Sequence, residues 1–346
     1  MTLAFLDSYL CLPIRRASVI AAVAALASIS AAQPTYRWKQ IPTRGGFGRP
    51  IAMSRNGTIL ALDGRGYFTY SEAKGRLSIR TVDLVGAKTL FPTCINSLGE
   101  VAGGYSLGHG VSRAFIWYPS GKFLDIGTLG GTISYATAIN DFGEVVGYSS
   151  TTSAIQHAFT WSEAAPWKGV MRDQSVAFPF SESYAYGVDS YGDVVGEFNG
   201  KATQQRSVAS EWTTNTGTGL PHFFAPTVAT AINDPGHIAG WDATSDRCFF
   251  WSKQTGYIPI SEGLPDLTPV AINNNDEIVG GGDFSPGFLW TPTRGLQSLQ
   301  SLVQPGSPKI GNAVGIDENG DILAEGGPLG GIIYVLTRTK QGISKP

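Results

Sequence analysis

From Tyr135 to Tyr148 the chain runs apolar and small, breaks at Asn140-Asp141-Phe142-Gly143, and turns apolar again from Val145. Short alternating runs on either side of a polar break predict strand, tight turn, strand. Asn at the first turn position can hold a backbone amide ahead of it, and Gly at the fourth accepts a left-handed conformation. This is the chemistry of a hairpin built on a type I turn with a Gly bulge. The ten-residue pattern Ala138 to Gly147 recurs at 94–103, 187–196, 231–240, 271–280 and 315–324, with a worn copy at 52–61. Its turn residue (Gly57, Gly99, Gly143, Gly192, Gly236, Asp276, Gly320) returns at intervals of 42, 44, 49, 44, 40 and 44. Asp276 follows Asn275, and both residue types tolerate the left-handed region better than most.

A second pattern follows each turn: Ala114-Phe115-Ile116-Trp117, Ala158-Phe159-Thr160-Trp161, Cys248-Phe249-Phe250-Trp251 and Gly287-Phe288-Leu289-Trp290. Small, large, variable, aromatic places Phe and Trp on one face of a strand. A Gly-containing turn and a fourth run such as Lys122 to Ile126 complete the unit. Four short strands per unit of about 44 residues is the period of a propeller blade. The fold class expected is therefore all-β: a single seven-bladed β-propeller of four-stranded blades over residues 33–346. The seventh copy lacks a clear fourth strand, and Tyr36 to Ile41 is an orphan one. That N-terminal strand is expected to complete the last blade and remove the exposed sheet edges. The recurring Phe and Trp are expected to pack between blades rather than to meet a ligand.

Residues 1–32 read as a signal peptide. Arg15 and Arg16 precede an apolar run too short to span a bilayer, which ends in Ser30-Ala31-Ala32. A secreted or periplasmic protein with no membrane insertion after cleavage is expected. The chain carries 25 Lys and Arg against 27 Asp and Glu, and loss of Arg15, Arg16 and Asp7 leaves it slightly more acidic. Nucleic acid and anionic membranes both call for a basic excess, so neither is an expected partner. Cys94 and Cys248 hold repeat positions otherwise filled by small residues, which predicts buried free thiols.

The pattern Ala-Ile-Asn-x-x-Gly-x-Val-Val-Gly, together with His157-Ala158-Phe159-Thr160-Trp161 and Leu124-Asp125-Ile126-Gly127-Thr128-Leu129-Gly130-Gly131, resembles the HAF-repeat family of bacterial extracellular repeat proteins. The resemblance covers roughly residues 36–336. It implies export and carries no agreed activity, ligand or catalytic residue. Arg113 and Arg247 stand where His157 does, which argues against a catalytic His.

The chain carries few motifs that point to chemistry. The four histidines fall in different repeats with no paired metal spacing, and no nucleophile elbow, phosphate loop or dinucleotide fingerprint is present. No catalytic, cofactor-binding or metal residue is assigned. The Asn/Asp turns, such as Asp317-Glu318-Asn319-Gly320-Asp321, cluster oxygens in a way calcium favours. They fall short of a full calcium loop, and a structural turn is the preferred reading. The longest interval, before the fourth turn, contains Trp167, Phe178, Phe180, Tyr184 and Tyr186. These five are the candidate ligand-binding residues, since aromatic platforms suit sugar rings or a protein hot spot. The expected function is a binding or interaction scaffold whose ligand is a glycan or a protein. The alternative is a polysaccharide hydrolase or lyase with a carboxylate site at the central channel, a reading that rests on fold-level analogy.

Overall fold

The computed structural model describes residues 36–79, 86–165, 168–175, 181–200, 208–212, 217–219, 227–242, 247–260, 267–282, 287–327 and 331–339. Among them the chain is almost wholly β. The first sheet is a meander of Gly48–Met53, Ile59–Asp63, Gly66–Ser71 and Gly75–Ser78. Equivalent meanders begin at Thr89–Ile95, Gly130–Ile139, Ser181–Val188, Thr227–Ile232, Thr268–Ile272 and Ile310–Ile316. The second and third are joined by one parallel pairing, Ile133 of a first strand with Ser112 of a third. In the last sheet Ile332–Arg338 is flanked by Tyr36–Gln40, paired antiparallel from Tyr36 with Arg338 to Gln40 with Tyr334. The N-terminal strand thus sits on the outer edge of the C-terminal sheet.

The turns form as the sequence pattern requires. Asn140 Oδ1 accepts the amides of Phe142 at 3.1 Å and Glu144 at 2.9 Å, and Gly143 takes φ of +76°. Asp276 does the same work as the turn glycines at φ +60°. A register shift between Ala136 and Ala138 leaves Thr137 as an extra residue in the first strand. The shift draws that strand close to its neighbour. A Cβ on Gly147 would lie 2.0 Å from the Tyr135 carbonyl oxygen, so this repeat needs Gly there, whereas Ala61 and Ala324 hold the position in the first and last repeats.

Among the described residues the first strands of these meanders neighbour one another in a cycle, with Ile310–Ile316 against Gly48–Met53 closing it. Among the described residues seven apolar clusters lie between consecutive sheets, and each draws on two of them. Phe115 and Trp117 pack toward Leu60 of the preceding sheet, while Ile116 faces Phe159 and Trp161 of the following one. The cluster of Ile41, Ile59, Phe68, Leu323 and Ile333 seals the last sheet against the first. Burying one such aromatic contributes about 2–3 kcal/mol. Cys94 and Cys248 are buried thiols outside any disulfide, and burial pushes the Cys94 thiol up to about 12.

Candidate functional site

The first strands enclose a cavity of about 350 Å3 along the axis of the cycle. One layer of its wall comes from the extra residue of each first strand: Ile51, Thr93, Thr137, Tyr186, Thr230, Val270 and Val314. The threonine hydroxyls are already engaged. Thr93, Thr137 and Thr230 donate to the carbonyls of Ala136 at 2.8 Å, Ala185 at 2.7 Å and Pro269 at 2.9 Å in the next sheet. The shaft is therefore apolar in effect, and it sets the bulky Tyr186 apart from its small counterparts.

The turn end of the channel is crossed by one side chain. Arg55 occupies the second turn position of the first repeat, equivalent to Ser97, Asp141, Ser190, Asp234, Asn274 and Glu318. Its guanidinium reaches the opposite side of the cycle. Arg55 Nη1 donates to Ser190 Oγ at 2.9 Å and to Asp234 Oδ2, and Nη2 donates to Asp234 Oδ1 at 2.7 Å. Burial works against the Asp234 charge, but bonds from Arg55, Asn274 and Ser190 hold its carboxyl far below the usual range. Burial raises Glu318, whose Oε1 lies 4.0 Å from Arg55 Nε. The carboxylates at this end are thus committed to the joints and to Arg55. Beyond them the turn tips Leu98, Phe142 and Tyr191 of three consecutive repeats are 56%, 78% and 79% exposed.

The end of the third and fourth sheets away from the turns is aromatic, and Tyr186 alone of its tyrosines also lines the cavity. Tyr135 and Tyr184 sit two residues before Thr137 and Tyr186, farther along the same strands from the turns. Ring centroids run from Tyr135 to Tyr148 at 5.7 Å, on to Tyr184 at 5.1 Å, and to Tyr186 at 6.5 Å. Tyr135 lies over Gly104, where a Cβ would clash with its ring at 2.3 Å. Phe91, at the same repeat position, is 42% exposed. Tyr186 donates to Glu197 Oε1 at 2.8 Å, and Tyr184 reaches Glu182 Oε2 at 3.5 Å. Burial first, then the carboxylates beside them, push Tyr184 up to about 12 and Tyr186 higher still. Both stay neutral phenols, able to donate or to stack.

Of the five aromatics singled out in the sequence, the structure brings Tyr184 and Tyr186 together at this end. Trp167, Phe178 and Phe180 lie outside the described residues. Tyr135 and Tyr148 were missed because they belong to an ordinary-length repeat, and the signal used was excess loop length. His157 is 2% exposed and faces Asp173 Oδ2 at 2.8 Å, as Arg113 faces Asp125 at 3.9 Å in the preceding repeat. The histidine of the repeat motif therefore helps tie a third strand to a fourth. Among the described residues no three His, Cys, Asp or Glu side chains assemble as a metal site. None of their helices is long and apolar enough to cross a membrane.

No family model matches the chain, and no curated protein sequence matches it. Its fold is similar to that of virginiamycin B lyase from Staphylococcus aureus, at 12% identity, over 88% of this chain and 100% of that one, with a TM-score of 0.53. The Cps50 (Swd1) β-propeller domain of Myceliophteria thermophila matches over 88% and 100% at 10% identity, also with 0.53. YCF48 bound to D1 peptide matches over 88% and 97% at 9% identity, again with 0.53. At these identities the likeness shows the fold alone: the chain is an all-β protein of the propeller type.

Proposed function

We propose that this protein is an exported seven-bladed β-propeller of four-stranded blades, a HAF-repeat protein that acts as a recognition scaffold. The cycle of seven first strands and seven apolar clusters supports the blade number. The observation that carries the binding role is the row of four half-buried tyrosines that leads to Tyr186 in the wall of a channel whose other end is spanned by Arg55. A channel obstructed at one end is entered from the other, so a ligand meets the tyrosines first. Neutral phenols with fixed hydroxyls offer stacking area and hydrogen bonds at little entropic cost, which suits a glycan or a protein side chain. YCF48 bound to D1 peptide supports peptide recognition as a task for this fold.

The test is an array of glycans and peptides probed with residues 33–346, with and without calcium. Selective binding that Tyr148→Ala and Tyr184→Ala each weaken about tenfold, in variants that still melt cooperatively, supports the reading. Binding that both variants retain and Phe142→Ser abolishes would move the site to the exposed turn tips. Turnover of a bound polysaccharide would replace the scaffold with an enzyme.

A further inference from the structure

A larger cavity lies away from the channel, at the seam where the two ends of the chain meet. It measures about 710 Å3, within the range of roughly 300–1,000 Å3 common for small-molecule sites. Its walls come from Tyr36 of the N-terminal strand, Arg338 and Asp321 of the last sheet, and Leu289, Arg294 and Gln297 of the sixth.

The polar groups of this cleft divide into spent and unspent. Arg338 Nη2 donates to Glu277 Oε1 at 2.6 Å and to the Tyr36 hydroxyl at 3.0 Å, while Glu277 Oε2 accepts from Asn273 Nδ2 at 2.9 Å. The Tyr36 hydroxyl donates to the Gly320 carbonyl at 3.0 Å, and Asp321 Oδ1 accepts the Arg338 amide at 2.8 Å. Both oxygens of Glu277 and one of Asp321 are therefore occupied. Arg338 Nε and Nη1, the Arg294 guanidinium and the Gln297 amide make no hydrogen bond among the described residues. What remains is a surplus of donors, two of them cationic groups, beside the exposed ring of Pro292, with one carboxylate oxygen of Asp321 unoccupied among the described residues and the buried Leu289 and Tyr36 beneath. Guanidinium groups match carboxylates in shape and charge. Amide and carboxylate groups beside an apolar wall match the hydroxyls and the flat face of a sugar ring.

We propose that this cleft binds a hydroxylated carboxylate of sugar size, such as a uronate. Its carboxylate meets Arg338 and Arg294, and its hydroxyls meet Gln297 and Asp321. The Tyr36 hydroxyl of the N-terminal strand holds Arg338 of the last strand in place, so the ligand meets this arrangement in the closed ring and not in the opened one. Binding then stabilises closure by mass action. The site is separate from the tyrosine row and stands or falls independently of it.

The experiment is thermal melting of residues 33–346 with increasing glucuronate or galacturonate, matched against glucose and against acetate at equal ionic strength. The expected result is a saturable rise in Tm with the uronates alone. Arg294→Gln, an exposed turn position, should weaken the midpoint about tenfold, and Tyr184→Ala should leave it unchanged. Equal shifts from glucose and glucuronate, a rise that never saturates, or indifference to both Arg294→Gln and Gln297→Ala would overturn the proposal. Should the melt not move at all, absence of glucuronate binding in equilibrium dialysis overturns it as well.

Discussion

The joint between the third and fourth repeats and the joint between the fourth and fifth are built to one plan but differ by one atom. In the first, Asn140 uses Oδ1 to hold its own turn and Nδ2 to donate across the joint to the Asp189 carbonyl at 2.9 Å. Asn96, Asn233 and Asn273 do the same toward Asn140, Asn273 and Asp317, at 2.9–3.1 Å. In the second joint the residue is Asp189. Its Oδ1 takes the amides of Tyr191 and Asp193 as an asparagine would, but Oδ2 occupies the donor's place, buried and without a partner among the described residues. Asp317 makes the same replacement and is relieved locally, because Asn319 Nδ2 donates to its Oδ2 at 3.3 Å. The fourth repeat has Tyr191 at that turn position and offers no such donor. Asp189 is 0% exposed, and burial, helped by the charges of Asp193 and Asp234, pushes its carboxyl up to about 6 against the amide bonds that lower it. The lesson is that a turn can satisfy its own residue while leaving the joint beside it short of one proton.

Three substitutions sharpen the comparison. The largest effect is expected from Asn140→Asp, which carries the fault into the intact joint and adds a carboxylate beside Glu144, whose Oε2 is now 3.4 Å from Asn140 Nδ2. A buried, uncompensated charge costs about 3–5 kcal/mol, so urea melts at pH 7 should show a loss of that order. Asp189→Asn should act in the opposite direction and stabilise the protein by about 3 kcal/mol at pH 7. The sign follows from linkage. The folded-state carboxyl binds its proton more tightly than the unfolded one, so the wild type is unpenalised below about pH 4 and loses stability as pH rises through about 6. The gap between wild type and Asp189→Asn should therefore open between pH 4 and 7, and a gap that stays constant with pH would refute the account. The smallest effect is expected from Arg55→Met, about 1–2 kcal/mol at neutral pH, because the ion pair it breaks is only partly buried. Asp234 is held low by Arg55, so that contribution is present at neutral pH and lost in strong acid. Amide exchange at Ser190, which donates to Asp234 Oδ1, should speed up, while exchange at Ser97, which donates to Asp141 Oδ1, stays unchanged.

The all-β repeat was legible in the chain because turn chemistry is local. Asn-x-x-Gly dictates a tight turn whatever surrounds it, and strand alternation decides which faces are apolar. The pairing of Tyr36–Gln40 with the last strand was legible for the same reason, as a strand without a partner at one end of the chain and a gap at the other. The burial of Cys94 and Cys248 as thiols outside any disulfide followed from their small-residue positions. Less of the candidate site could be read. Tyr184 and Tyr186 stood out through an unusually long interval, whereas Tyr135 and Tyr148 sit inside regular repeats and join them only because the first two strands of the third sheet pack against the first strand of the fourth.

The sequence by itself determined the repeat, the strand pattern and the residue types at each turn, since these rest on contacts within a few positions of the chain. Only the tertiary structure decided what the second atom of each turn Asn does, which carboxylates Arg55 reaches from the far side of the cycle, and that two chain ends share a cavity with Arg338. Those outcomes depend on distances between residues tens to hundreds of positions apart. A local pattern does not encode such distances.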